Sequence, residues 1–282
     1  MGIEHVVSLR ACPCIYKEAI MLGSLYIFAR PIAMSKRIAV ITPYYKEPVQ
    51  MLKDCHASVV SQGVDVDHFM VADGFPLDEV SNWPVQHVLL NKAHADNGNT
   101  PRGIGAFLAI NQGYDFVTFL DADNWYHPGH LQSMLDLYAS TKADVCCSRR
   151  TYHDMAGHPL PVTEVVEDKG RHIDTSCMFF APSAFDAMGC WLKMPKQLSP
   201  ICDRVMLNQL WDKRYKLAFS ELRSVAFRSQ YAWHYRDVKA PPTDIKLKGQ
   251  DEFDRCIKWL YSAEGVSACV SNLGFWPNKI YL

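Results

Sequence analysis

"FVTFLDADNWYHPGH" (residues 116–130) places five apolar or β-branched residues directly before two carboxylates, Asp121 and Asp123. So short an apolar run, bounded by turn residues, reads as a buried strand. Side chains two apart on an extended chain point the same way. Just past the strand end, both carboxylates can therefore approach one hard cation, Mg²⁺ or Mn²⁺, which takes oxygen ligands and often substrate phosphates. The other reading is a strand-to-loop turn with two surface acids, where Asp and Asn are common. The flanking sequence decides which kind of sheet the strand joins.

Upstream, "RIAVITPYY" reads as a strand from Ile38 to Thr42 halted by Pro43. A helix follows, with Pro48 in its first turn and Val49, Leu52, His56 and Val59 or Val60 on one face. "DHFMVADG" and "PVQHVLL" read as the second and third strands. "NKAHADNGNTPRG" reads as a polar loop, and "IGAFLAINQG" as a helix closed by Gly113. Downstream, "PGHLQSMLDLYAS" is a helix and "ADVCCSRR" a fifth strand. This β-α alternation, with continuously apolar strands, predicts an α/β domain built on a mostly parallel central sheet flanked by helices. Such sheets bind ligands outside the carboxyl ends of their strands. Thr42, Pro43, Tyr44, Asp73, Asp121 and Asp123 all lie at such ends.

The second half is less regular. Residues 151–172 read as a long loop. "CMFFA" reads as a strand, "PSAFDAM" as a short helix and "DRVMLNQLWDKR" as a helix. Two short strands, "KLAFS" and "SVAFRS", precede "YAWHYRD", and "DEFDRCIKWLYSA" forms a C-terminal helix.

The 282 residues are 49% hydrophobic, enough for one large domain. Lys and Arg (29) nearly balance Asp and Glu (30), so no global basic field points to nucleic acid. The ten cysteines include no CxxC pair, which argues against zinc and for reduced thiols in a cytosolic protein. "AIMLGSLYIFA", within the first 33 residues, falls short of the roughly 20 residues that span a bilayer, but offers a peripheral membrane contact. Met34 reads as the natural start. The expected organisation is an extension over residues 1–34, a catalytic domain over 35–240, and a C-terminal helix and tail over 241–282 packed on the same domain.

At the strand ends, Asp73 can accept a base N–H, or simply form an Asp-Gly turn. Pro43, Tyr44 and Glu47 supply an aromatic and an acceptor suited to a uracil ring and a ribose. The series "ITPYYKEPVQMLKDCHASVVSQ", "MVADG" and "NGNTPRGIGAFLAINQGYDFVTFLDADNWYHPGHL" resembles the family 2 glycosyltransferases of the GT-A fold. The likeness is strongest over residues 37–150 and weaker to about residue 236. It implies Pro43, Tyr44, Glu47 and Asp73 for the nucleoside, and Asp121 and Asp123 for a metal on the diphosphate. The chain departs from the family pattern at Ala72-Asp73, where two acids are usual, and at Ala109-Ile110-Asn111, where Ala-Arg-Asn is usual. Arg102 either supplies a cation in compensation or is solvated.

The resemblance further implies a catalytic base at Asp203, in "PICDRVMLNQLW", with Cys202 where the family has Glu. An Asp there is also an ordinary helix cap. His234 resembles a further metal ligand, against the alternative of a hydrogen-bonded core histidine. His172, Asp174 and Thr175 fall in the segment that reaches the donor sugar and acceptor. Trp191 either stacks on a sugar or packs in the core.

The reading is a Mn²⁺- or Mg²⁺-dependent inverting glycosyltransferase, with a nucleotide-sugar donor and a saccharide or lipid-linked acceptor. A sugar nucleotidyltransferase usually has a Gly-rich loop after its first strand; "TPYYKEP" has none. A haloacid dehalogenase phosphatase places DxD early and follows it with Thr or Val; Asn124 follows here, after three strands. A nucleotide-sugar-binding protein without turnover is the non-enzymatic alternative, prompted by Cys202.

Overall fold

Ile38–Tyr44 (β1) has all seven residues buried, as expected of a strand covered on both faces. It lies at the centre of the parallel part of an eight-stranded sheet. That part also holds Val66–Asp73 (β2), Gln86–Leu90 (β3) and Phe116–Phe119 (β4). The order is β3-β2-β1-β4-β7-β6-β8-β5. The last four are Met178–Phe180 (β7), Val145–His153 (β6), Leu217–Arg228 (β8) and the short Trp125–Tyr126 (β5). β7 runs antiparallel to both β4 and β6, β8 is parallel to β6, and β5 is antiparallel to β8. This computed structural model describes residues 36–162, 172–236, 238 and 247–280. The residue 1–34 extension with its apolar stretch, part of the 151–172 loop and the start of the tail lie outside those residues. Lys36–Leu282 form one compact unit. No helix among the described residues is long and apolar enough to cross a membrane.

Helices Val49–Val60 (α1), Asp78–Ser81 (α2), Asn99–Asn111 (α3) and His130–Thr141 (α4) connect the strands. Gly189–Lys193 (α5), Cys202–Asp212 (α6), Asp251–Leu260 (α7) and Ala263–Leu273 (α8) follow. Gly105 lets α3 lie close on the sheet, since a Cβ there would sit 2.6 Å from Ile41 Cγ2. The mixed α/β class with a central sheet flanked by helices agrees with the sequence reading.

Several boundaries differ. β1 continues through Pro43 to Tyr44, pairing with Ala72. The Ile41 carbonyl accepts from Leu120 on the β4 side. By alternation the Pro43 nitrogen faces that same side, where β4 has already ended, so its missing N–H costs no ladder bond. α3 starts at Asn99, inside the expected loop. Asp96 Oδ2 accepts from Thr100 N (3.0 Å) and Oγ1 (2.6 Å), and Pro101 sits in the first turn, where N–H groups lack helical partners anyway. The expected strands "KLAFS" and "SVAFRS" are one twelve-residue strand, β8. Its middle residues Glu221 to Arg223 are exposed, and register shifts against β6 absorb the irregularity.

Two buried imidazoles set an acid limit on the fold. His68 and His130 are each 1% exposed, and burial, with a neighbouring His in each case, pushes both down to about 3. His68 bonds Thr42 Oγ1 (2.8 Å) and His56 Nδ1 (3.0 Å). His130 bonds Ser224 Oγ (2.8 Å) and stacks on Tyr126 at 4.1 Å. Unfolded imidazoles take up protons below about pH 6.5, so the unfolded state binds more protons as pH falls, and stability drops. Each is expected to remove about 2 kcal/mol between pH 7 and pH 5. Urea unfolding midpoints at the two pH values check this; equal midpoints contradict it.

Candidate active site

The carboxyl ends of β1, β2 and β4 open into a cleft of about 990 Å³, closed on its other sides by the start of α6, the end of β8 and the segment after it. At the β2 end, buried Asp73 accepts from the backbone N–H of His94 (2.9 and 3.1 Å) and of Ala95 (3.2 Å), and bonds His94 Nδ1 (2.8 Å). Its oxygens thus anchor the following loop rather than standing free for a base. Gly74 makes that loop fit: at φ +82° its absent Cβ would lie 2.3 Å from Ala93 N.

At the β1 end two tyrosines line the cleft, Tyr44 and Tyr45. Tyr44 is 2% exposed, its hydroxyl tied to His87 Nε2 (2.7 Å) and to the Leu77 N–H (3.0 Å). Tyr45 is 37% exposed, edge-on to Phe75 at 4.8 Å, and is the ring presented to the cleft. Adjacent residues of an extended chain face opposite sides, so reading the strand through Pro43 is the signal that finds Tyr45. Thr42 is wholly buried, bonded to His68, and does not reach the cleft. Pro43 lines it, as does Glu47, whose Oε2 accepts from the Tyr45 (2.7 Å) and Lys46 (3.1 Å) N–H groups.

The acid pair sits on a stapled turn. Asn124 donates its N–H to the Asp121 carbonyl (2.9 Å), and its Oδ1 accepts from the Arg228 N–H (2.9 Å). The Arg228 guanidinium donates to the Asp123 carbonyl. Asp121 is ion-paired with buried Arg102, which also donates to the Asn97 carbonyl (2.7 Å). Arg102 is therefore a buried cation at the cleft floor, not a solvated one. Burial, then the charges of Asp121 and Glu47, push the Asp123 carboxyl up to about 7. Asp123 is thus a carboxylate short of positive charge.

Asp203, in the first turn of α6, lines the same cleft. Burial would raise its pKa, but the hydrogen bond from His172 Nε2 (2.6 Å), with Arg204, holds it below the usual carboxylate range. Its Oδ1 accepts from the Arg204 N–H (2.7 Å). Cys202 brings no second acid, because burial pushes its thiol up to about 12. Thr175 lines the cleft beside Asp174, whose Oδ2 is paired with Arg150 (2.7 Å) and whose Oδ1 accepts from the Ser176 N–H (2.9 Å).

His234 reaches the cleft wall with Nδ1 bonded to Ser229 Oγ (2.6 Å) and its ring against Tyr152 at 4.7 Å. Among the described residues, no three His, Cys, Asp or Glu side chains converge to hold a metal ion, so Asp121, Asp123 and His234 do not form a ready-made triad. Trp191 takes the core alternative rather than the sugar-stacking one: at 1% exposure it packs under Arg102 and against Phe119, with no face left for a sugar. Arg150, Arg204, Arg228 and Tyr231 line the cleft but were not among the sequence candidates.

Comparison with known proteins bears on this geometry. None of the curated proteins matches the chain. The structure of S. aureus TarS 1–349 in complex with UDP matches with TM-score 0.54 and 11% identity, over 84% of this chain and 70% of that one. The same protein in complex with UDP-GlcNAc gives TM-score 0.51 and 12% identity, over 83% and 73%. At such identities the likeness is one of fold. The model of the family described as "Glycosyl transferase family 2" matches residues 39–192, taking in both strand-end acid sites, Asp73 and the Asp121–Asp123 pair. With more than half of its 282 residues so matched, the chain belongs to glycosyl transferase family 2 and is a glycosyltransferase.

Proposed function

We propose that the protein transfers a sugar from a nucleoside diphosphate, UDP foremost, to an acceptor hydroxyl with inversion, in a metal-dependent reaction. The observation that carries this is the presence, in one cleft, of a strand-end acid pair, whose Asp123 is short of positive charge, together with an ionised carboxylate, Asp203. TarS, of similar fold, is described in complex with UDP and with UDP-GlcNAc, which supports the donor class. Tyr45, Pro43 and Glu47 provide a ring and an acceptor for the nucleoside, beside the loop that Asp73 anchors.

The acid pair fits a hard divalent cation: two carboxylates, Asp123 being short of positive charge, with diphosphate oxygens as the natural further donors. Asp121 and Asp123 would hold Mn²⁺ or Mg²⁺, whose charge offsets that on the leaving diphosphate. Arg102 holds Asp121 and adds a fixed positive charge at the cleft floor. Asp203 orients the acceptor hydroxyl and takes its proton as the oxygen bonds to the anomeric carbon. The bond to the diphosphate breaks on the opposite face, so the configuration inverts. Thr175 offers a hydroxyl to the sugar.

Calorimetric titration with UDP is expected to show binding that Mn²⁺ strengthens at least about tenfold, and product NMR an inverted anomeric configuration. Binding indifferent to Mn²⁺, or a retained configuration, sinks the reading. Binding with neither hydrolysis nor transfer favours a protein without turnover.

A further inference from the structure

Three side chains behind Asp203 are almost wholly removed from solvent yet charged or titratable: Arg150 (4% exposed), His172 (6%) and Asp174 (6%). They form a chain. His172 Nε2 lies 2.6 Å from Asp203 Oδ2, and His172 Nδ1 faces Arg150 Nη2 at 3.5 Å. Arg150 Nη1 donates to Asp174 Oδ2 (2.7 Å), and Nε to the Tyr152 hydroxyl (2.7 Å). The guanidinium is also clamped over the Phe227 ring at 4.4 Å, and Asp174 is fixed by the Ser176 N–H (2.9 Å). A guanidinium only donates. His172 Nδ1 must therefore accept, which puts the imidazole proton on Nε2, aimed at Asp203.

We propose that His172 is a positioning residue for Asp203, held in its Nε2–H tautomer by the Arg150–Asp174 pair, so that the carboxylate is oriented before the acceptor arrives. The proposal rests on the reading of Asp203 as the base. Two donors from different elements grip the carboxylate: His172 on Oδ2 and the Arg204 N–H on Oδ1. Each oxygen keeps a lone pair, and one of them meets the acceptor O–H. A base already in place has no reorganisation left to make as the proton moves. The same grip stabilises the anion and lowers its basicity. The groups facing Asp203 are His172, the Arg204 guanidinium at 3.7 Å, Cys202, Tyr231 and, further back, Asp174. Among these, His172 and the Arg204 N–H supply the hydrogen bonds that favour the ionised carboxylate.

The test compares His172→Ala, His172→Gln and Asp203→Asn for sugar transfer over a range of pH, with UDP binding and thermal melting as controls on the fold. His172→Ala is expected to lower kcat about a hundredfold with donor KM unchanged. The acid limb of its kcat profile should rise into the ordinary carboxylate range near about pH 4. His172→Gln, which keeps an N–H donor, should recover most of the rate. The proposal is overturned if the limb does not move, if Gln is no better than Ala, or if kcat and UDP affinity fall together. An active Asp203→Asn would instead overturn the base assignment, so the two failures are distinguishable.

Discussion

Asp203→Asn is expected to lower the turnover of sugar transfer by about 10²- to 10⁴-fold, the range contributed by a positioned general base, while leaving UDP affinity within about twofold. The amide is isosteric. Its single oxygen can accept from only one of His172 Nε2 and the Arg204 N–H, so one of the two contacts at the start of α6 is kept and the other is lost. What it lacks is a site for the acceptor proton. The hydrogen bonds of Asp203 run to His172 and Arg204 rather than to the acid pair, so a loss confined to kcat is the signature of a group that acts on the acceptor and not on the donor. A matching fall in UDP affinity, read by titration calorimetry, would show that the substitution had disturbed the cleft instead.

The second large effect concerns Asp123. Asp123→Asn is expected to cut the Mn²⁺-dependent gain in UDP affinity by at least about tenfold, since one of the two anionic oxygen donors is lost. The ligand-free protein should respond in the opposite direction. Burial and the charges of Asp121 and Glu47 all oppose ionisation of this carboxylate. Removing the charge is therefore expected to stabilise the fold at neutral pH by up to about 4 kcal/mol, seen as a higher melting temperature without metal. Opposite signs in two assays of one variant separate a ligand-binding acid from a structural one. A variant that melts lower than the parent and still responds to Mn²⁺ would refute the assignment.

Most of the sheet was legible because its strands are short apolar runs whose carboxyl ends carry polar residues. Asp73, Asp121 and Asp123 could be placed at the cleft mouth for that reason. Tyr44 lies at the cleft as read, but the exposed ring beside it, Tyr45, was missed because a proline was taken to end β1. That rule fails where the neighbouring strand stops first. Thr42 failed on the same strand: a position near a strand end says nothing of which face the side chain takes, and His68 claims its hydroxyl. Local pattern also split β8 into two strands, because its exposed centre is held by its ladder to β6 rather than by burial. Trp191 was ambiguous in sequence, and only packing on Arg102 and Phe119 assigns it to the core. The Arg150–His172–Asp203 chain was beyond reach, since it joins three segments that no local periodicity relates.

The staple between Asn124 and Arg228 joins positions 104 apart in the chain. The turn that carries the acid pair is therefore incomplete until β8 is in place. A ribosome-bound chain exposing only the parallel strands has the nucleoside side of the cleft in outline, but neither its facing wall nor a fixed acid turn. Such long-range closure slows folding and prolongs the life of partly assembled forms. Fragments that stop before the end of β8 should accordingly be poor substitutes for the whole chain, even when they contain every strand-end acid.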